Sequence, residues 1–258
     1  MKRNKILYLF TLLFGGVNFL WGKVDVLPAK AAEEPVRMSG YTTYYDEKVT
    51  GRSENIRLAV SFISGITVQA YGEFSFNKIV GERSEARGFK EAKVIVRGEF
   101  TSGVGGGVCQ VSTTLYNAAL YAGLTITEYH PHSLAVGYVP PSQDAMVSAY
   151  HDLAFFNPYD FPVRIEMTAK EGALRARIYG EDTGIRREVV SRTVDRTPPP
   201  DPLEIEGEKD EVLRVEKWGL TSESYLEIYQ NGVLQSRKLL RKDAYLPTRG
   251  IVAKKTLR

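Results

Sequence analysis

The segment Gly103-Val104-Gly105-Gly106-Gly107 stands directly before an apolar, helix-forming stretch, and the only cysteine, Cys109, lies at the join. Successive glycines let a backbone turn sharply and approach other groups closely. Upstream, Ala92-Lys93-Val94-Ile95-Val96 is β-branched enough for a strand. Downstream, residues 110–121 place Val111, Leu115, Ala118, Ala119 and Ala122 on one helical face before Gly123 closes the helix. The unit this predicts is strand, glycine turn, helix, with Cys109 in the first helical turn. One cysteine cannot form an internal disulfide, so Cys109 is either a reactive thiol or an ordinary buried small hydrophobe.

An earlier helix is expected to begin at Ser53, a residue suited to the N-cap, because Ile56, Ala59, Val60 and Ile63 share a helical face. Residues 32–51 ahead of it read as an extended lead-in, and residues 66–70 as a short strand. From residue 125 the texture turns to strands, expected over 125–130, 135–139, 146–150, 153–156, 163–168 and 174–179. The run Thr197-Pro198-Pro199-Pro200-Asp201-Pro202 cannot pair in a sheet and reads as a stiff linker. Beyond it, Asn231-Gly232 between alternating segments signals a hairpin. The fold class predicted is α+β: a main domain of helices and antiparallel sheet over 52–196, a linker at 197–202, and a small all-β module over 203–258.

Residues 1–31 have the pattern of a secretory signal: Lys2, Arg3 and Lys5, an apolar run over 6–21, and small residues at Ala29 and Ala31. An uncleaved membrane anchor of about 16 apolar residues is the alternative. Both readings place the rest of the chain outside the cytoplasm. Removing this segment takes five basic groups and one acidic group from a formal charge of +3, leaving the chain near −1. So balanced a surface makes no electrostatic case for nucleic acid as a partner.

At the start of a helix, unpaired N–H groups and the helix dipole stabilise a thiolate. Gly106, Gly107, Val108, Gln110 and Ser112 form the candidate substrate-binding and oxyanion wall around it, the amides from Val108 to Gln110 being suited to the oxyanion of an acyl intermediate. A thiol nucleophile needs a base, and the chain has three histidines, His130, His132 and His151. The first two follow the helix in a segment expected to run back along it toward Cys109, which makes each a candidate. Asp144, Asp152 and Glu128 are carboxylates that could orient an imidazole, and Asp144 is carried forward as the catalytic candidate. No CxxC or HxxxH set accompanies Cys109, and the phosphate-loop pattern is absent, so neither a metal nor a nucleotide is expected. The tyrosines could line a groove for sugar or peptide, or pack within sheets.

Phe74-Ser75-Phe76-Asn77, the block from Gly103 to Ala118, His130-Pro131-His132-Ser133, Tyr138-Val139-Pro140, Asp144-Ala145 and Asp152-Leu153 resemble the VanW family of bacterial cell-surface proteins over roughly residues 52–180. The tail, with Tyr229-Gln230-Asn231-Gly232-Val233, is similar to glycine-containing extracellular modules that often follow such domains. The resemblance implies an extracellular or cell-wall protein, some relatives being similar in role to L,D-transpeptidases, which cross-link peptidoglycan stem peptides through a cysteine acyl-enzyme. By position it implies Cys109 as nucleophile and His132, ahead of His130, as general base, with no metal or organic cofactor. The chain departs from the family pattern at Tyr129, where an arginine is common, and at Ser142-Gln143, which replaces a glycine-containing turn. A non-catalytic peptidoglycan-binding or envelope-interaction protein is the alternative, favoured by the departure at Tyr129.

Overall fold

The computed structural model describes residues 34–96 and 98–255, and the expected signal or anchor segment, 1–31, lies outside them. In chain order the elements are β1 (Val36–Tyr44), α1 (Thr50–Ile63), β2 (Thr67–Val68), β3 (Glu73–Ser75), α2 (Phe76–Val80), β4 (Glu91–Val96), β5 (Glu99–Val104) and α3 (Val108–Ala122). There follow β6 (Thr125–Glu128), β7 (Ala154–Phe156), β8 (Val163–Lys170), β9 (Ala173–Gly180), β10 (Ile185–Thr197), β11 (Leu203–Gly207), β12 (Glu211–Arg214), β13 (Gly219–Gln230), β14 (Val233–Tyr245) and β15 (Ile251–Lys255). The described chain is mostly β with few helices, arranged in several antiparallel sheets, in keeping with an α+β class.

The main sheet is antiparallel in the order β1-β9-β8-β2. Alternation along β8 and β9 sends Val163, Ile165, Met167, Leu174, Ala176 and Ile178 into the core. The segment expected as a lead-in is therefore partly β1, an edge strand paired with β9 along most of its length. Against this sheet lies α3, which also packs on α1, β6 and β10. Thirteen of its fifteen residues are buried, so it is not the one-faced helix that its apolar spacing suggests. Its small polar side chains are tolerated inside because each makes at least one hydrogen bond, although Asn117 Oδ1 has no partner among the described residues. Thr114 Oγ1 donates to Gln110 O at 2.7 Å, and Asn117 Nδ2 donates to Thr113 O and Gln143 O at 2.8 Å each.

Two expectations need correction. α1 starts three residues before Ser53, which is buried within the helix and donates its hydroxyl to Asp46 O and Glu47 O rather than capping an end. Residues 135–139 and 146–150, expected as strands, belong to an irregular segment running from 129 to 153. Their β-branched character is used instead for burial, as at Val139 and Val147.

The C-terminal strands form two sheets, β10-β13-β14 and β11-β15-β12. β13 and β14 join through Asn231-Gly232, both at positive φ (51° and 78°), the turn that matches strand twist. β10 pairs with β13 from Ile185 opposite Gln230 to Thr197 opposite Gly219. This sheet thus spans the proline run, with a strand on either side of it, and the chain from Glu34 onward is one compact unit. Among the described residues no helix is long and apolar enough to cross a bilayer.

Candidate active site

Between the end of β5 and the start of α3 the chain reverses over Gly105, Gly106 and Gly107. Gly105 and Gly107 take φ of 87° and 107°, a region that side-chain-bearing residues resist. Space is equally restrictive. A Cβ at Gly105 would lie 2.9 Å from Arg83 Cβ, one at Gly106 2.7 Å from Lys93 O, and one at Gly107 3.0 Å from Arg52 Cγ. Asn55 Nδ2 pins the turn by donating to Gly106 O and Lys90 O, each at 2.9 Å. The Val108 and Gln110 amides donate to Gly105 O (3.1 Å) and Gly107 O (2.9 Å), so two of the expected oxyanion donors are spent inside the turn. The amide of Cys109 itself has no acceptor among the described residues.

Cys109 is partly exposed, and its thiol can donate to Val147 O at 3.3 Å. Beside it stands His132, whose ring and backbone N–H both reach Asp144 Oδ2 at 2.7 Å. Asp144 is buried, yet its carboxyl is held below the usual range because the His132 ring, its charge and its backbone N–H, with the Tyr245 hydroxyl, outweigh the cost of burial. An ionised carboxylate only accepts hydrogen bonds, so Nδ1 of His132 carries the proton and Nε2 is left for the thiol. Burial opposes charge on His132, but Asp144 and Cys109 overcome it and raise the imidazole to about 9. Burial likewise raises the Cys109 thiol, and the hydrogen bond and charge of His132, with help from Arg83, reverse that to a net lowering. Both directions favour a thiolate–imidazolium pair.

The segment 129–153 that carries His132 and Asp144 has no ladder to fix it, and other elements do so instead. Ser112 Oγ donates to Ala145 O at 2.6 Å from α3. From β14, the Tyr245 hydroxyl donates to Asp144 Oδ1 at 2.5 Å and accepts from the Ser142 amide at 2.7 Å. Arg241, also on β14 and buried, donates through Nη1 to Asp144 O (2.6 Å) and through Nε to Asp243 Oδ2 (2.6 Å), with Nη2 3.5 Å from Asp144 Oδ1. Its guanidinium stacks over Tyr129, 4.5 Å from the ring centroid. A cation from the C-terminal strands thus covers the position where the resemblance leads one to look for arginine. Ser142 adopts φ of 59°, the reason a glycine-containing turn suits this place, and its Oγ lies 2.6 Å from Ser222 Oγ.

A cleft of about 1140 Å³ opens over Cys109 and His132, with Asn77, Arg83, Tyr138 and Ala149 among its walls. The family model described as VanW like protein matches residues 51–179, which hold every member of this constellation except its support from β14. The chain belongs to the VanW family. The YoaR protein of Bacillus subtilis is 38% identical over 174 residues, covering 67% of this chain and 56% of that protein. The vancomycin B-type resistance protein VanW of Enterococcus faecalis is 25% identical over 149 residues, covering 55% and 53%. The chain spans about half the length of the curated relatives it matches. Among solved structures, an IgA1 protease G5 domain covers 29% of this chain and is itself covered over 89%, at 18% identity and a TM-score of 0.19, a value too low to carry an argument.

Within this VanW chain the structure brings Cys109, His132 and Asp144 into one line, and it does not bring His130. The His130 ring pairs with Glu128 at 2.9 Å, packs edge-on against His151, and is not part of the cleft wall. Asp152 accepts from Ser75 Oγ (2.5 Å) and from the Asn77 amide (2.8 Å), so it holds the start of α2 and orients no imidazole. Of the expected wall, Gly106, Gly107, Val108 and Gln110 line the cleft. The Gln110 side chain is occupied with Thr43, Tyr44 and Arg52. Ser112 serves the segment behind the site. Among the described residues no cluster of His, Cys, Asp and Glu suits a metal ion. Sequence reasoning missed Arg52, Arg83, Arg241 and Tyr245 as neighbours of the site, and no local pattern marks them. Tyr138, part of a motif that carries the resemblance but given no site role from it, stands in the cleft near Cys109 and Thr113, with burial raising its hydroxyl pKa so that it stays a donor.

Proposed function

We propose that this VanW protein is an exported cysteine acyltransferase that acts on peptidoglycan stem peptides in the manner of an L,D-transpeptidase. The observation that carries the reading is the Cys109–His132–Asp144 line, with Nδ1 of His132 bound to Asp144 and the thiol pKa lowered. A relative named for vancomycin resistance is in keeping with an envelope role. The Cys109 thiolate attacks the carbonyl carbon of a stem-peptide amide, forming the C–S bond. The Cys109 amide and the Tyr138 hydroxyl are the donors available to the oxyanion. Imidazolium Nε2–H of His132 then protonates the departing amine of D-alanine as the C–N bond breaks, leaving a thioester. An acceptor amine attacks that thioester, His132 takes its proton, and the C–S bond breaks as the new amide forms. Water in place of the amine yields a trimmed stem.

The test is incubation with muropeptides carrying tetrapeptide stems, followed by mass spectrometry of products and of intact protein. Release of D-alanine and a thioester adduct at Cys109 are expected. Cys109→Ala should abolish both, and His132→Ala should slow adduct formation by about 10²–10⁴-fold, whereas His130→Ala should not. Binding of the glycan with no adduct and no D-alanine release, unchanged in Cys109→Ala, would establish the non-catalytic wall-binding alternative instead.

A further inference from the structure

Two arginine side chains lie across the glycine turn that presents Cys109. The stem of Arg83 presses on Gly105, where a Cβ would come within 2.9 Å, and the stem of Arg52 presses on Gly107. Two of the three glycines are therefore required as much by these side chains as by the turn. Both arginines line the cleft, as do Lys93 and Lys217, while Glu82 is the one carboxylate side chain in its wall. None of the four cations has an ion-pair partner among the described residues. Lys93 and Lys217 lie over the Phe100 ring, and Arg52 donates to the neutral amide of Gln110. Arg83 donates to Asn77 Oδ1 (2.7 Å) and Gly81 O (3.0 Å), both through Nη1, so its Nε and Nη2 have no protein partner among the described residues. Asp152 and the ionised Cys109 thiol act on this half-buried guanidinium only from beyond ion-pair distance, and a carboxylate hydrogen-bonded to its open Nε–Nη2 edge would supply the direct counter-charge that burial favours. In a chain whose formal charge is near zero once the leader is discounted, the wall beside the thiol carries four cations against the Glu82 carboxylate among the described residues.

We infer that Arg83 is the substrate-carboxylate anchor of this cleft, its Nε–Nη2 edge gripping a peptide carboxylate beside the scissile bond while Arg52, Lys93 and Lys217 supply the attracting field. A planar guanidinium with two free donors matches a carboxylate bidentately, which a lysine cannot do. This deepens the acyltransferase reading and rests on it for the identity of the peptide. Two carboxylates of a stem peptide could fill the site: the C-terminal carboxylate of the leaving residue, or the side-chain carboxylate of a diamino acid at the acyl position.

The anion site is testable without turnover. Cys109 in the full chain is alkylated with iodoacetate and with iodoacetamide, and the ratio of the two second-order rates is compared among wild type, Arg83→Gln and Arg83→Lys. Any change in thiol pKa alters both rates and cancels in the ratio. Arg83→Gln should lower the ratio by about tenfold, the size of a single charge-assisted hydrogen bond, and Arg83→Lys should keep part of it. An unchanged ratio in Arg83→Gln, with a wild-type melting temperature as proof of an intact fold, overturns the proposal. If the protein also transfers stem peptides, Arg83→Gln should raise KM far more than it lowers kcat. Tetrapeptides amidated at one carboxylate or the other identify the source: the amide that slows wild type but to which Arg83→Gln is indifferent marks the carboxylate that Arg83 holds. Equal sensitivity of wild type and Arg83→Gln to both amides also overturns it. Absence of turnover with the alkylation result intact removes the stem-peptide reading and leaves the anion site standing.

Discussion

Replacing Tyr245 by phenylalanine deletes one oxygen that sits between two buried groups, a carboxylate oxygen of Asp144 at 2.5 Å and the amide of Ser142 at 2.7 Å. The hydrogen bond to a charged acceptor contributes about 1.5–3 kcal/mol, and stranding a buried N–H adds about 1 kcal/mol or more. Asp144 keeps both N–H donors of His132 and its bonds from Arg241, so the damage is limited to these two effects. The expected destabilisation is therefore about 3 kcal/mol at neutral pH, inside the ordinary margin of a folded domain. The pH dependence has a definite sign. Asp144 is held below its usual pKa, so stabilisation of its charged form is present above about pH 4 and is lost as pH falls through the lower folded value. Urea unfolding of wild type and Tyr245→Phe, followed by circular dichroism at neutral pH and in acid, should show a deficit that narrows in acid. A deficit below about 1 kcal/mol at neutral pH, or one that does not vary with pH, would refute the claim that β14 holds the Asp144 carboxylate.

Ending the chain after Thr197 removes Ser222, Arg241, Tyr245 and Leu246, whose amide donates to Ser133 O at 2.8 Å. Such a chain should be unstable and should lose rapid Cys109 alkylation at neutral pH, measured by thermal melting and iodoacetamide labelling; a stable, equally reactive product would support the reading of the proline run as a boundary between independent modules. Gly107→Ala combines φ of 107° with a Cβ 3.0 Å from Arg52 Cγ and 3.1 Å from Arg52 O, and should cost about 2–4 kcal/mol in denaturant unfolding. If His132 must carry a proton for the leaving amine, kcat/KM should fall on the basic side with a midpoint near its raised value of about 9, and on the acid side as the lowered Cys109 thiol protonates; a profile that keeps rising above that midpoint would exclude His132 as the acid.

What the sequence determined by itself is the strand at 92–96, the glycine turn and the helix around Cys109, the strands at 163–168 and 174–179, the β13–β14 hairpin, and the candidacy of Cys109 with a nearby histidine; β5 (Glu99–Val104), the strand that enters the turn, was not among them. These rest on short-range physics: positive φ at glycine and asparagine, period-two burial in strands, and i to i+4 spacing in α3. The residues alone left His130 and His132 level, because alternation through a proline-interrupted segment does not say which ring reaches a helix end; the family resemblance ranked His132 first, and the folded chain places that ring beside Cys109. Asp144, carried forward from the sequence as the candidate carboxylate, is held in place by Tyr245 and Arg241, which lie 101 and 97 residues further along the chain. Residues 129–153 have no periodic signature since their backbone is fixed by scattered side chains of α3 and β14 rather than by a neighbouring strand. Likewise the glycines announced a close approach without saying to what, and the folded chain answers with Arg83 and Arg52. Contacts between residues far apart in sequence leave no local pattern, so the Cys109–His132–Asp144 arrangement is legible only once β14 is seen packed against the segment that carries it.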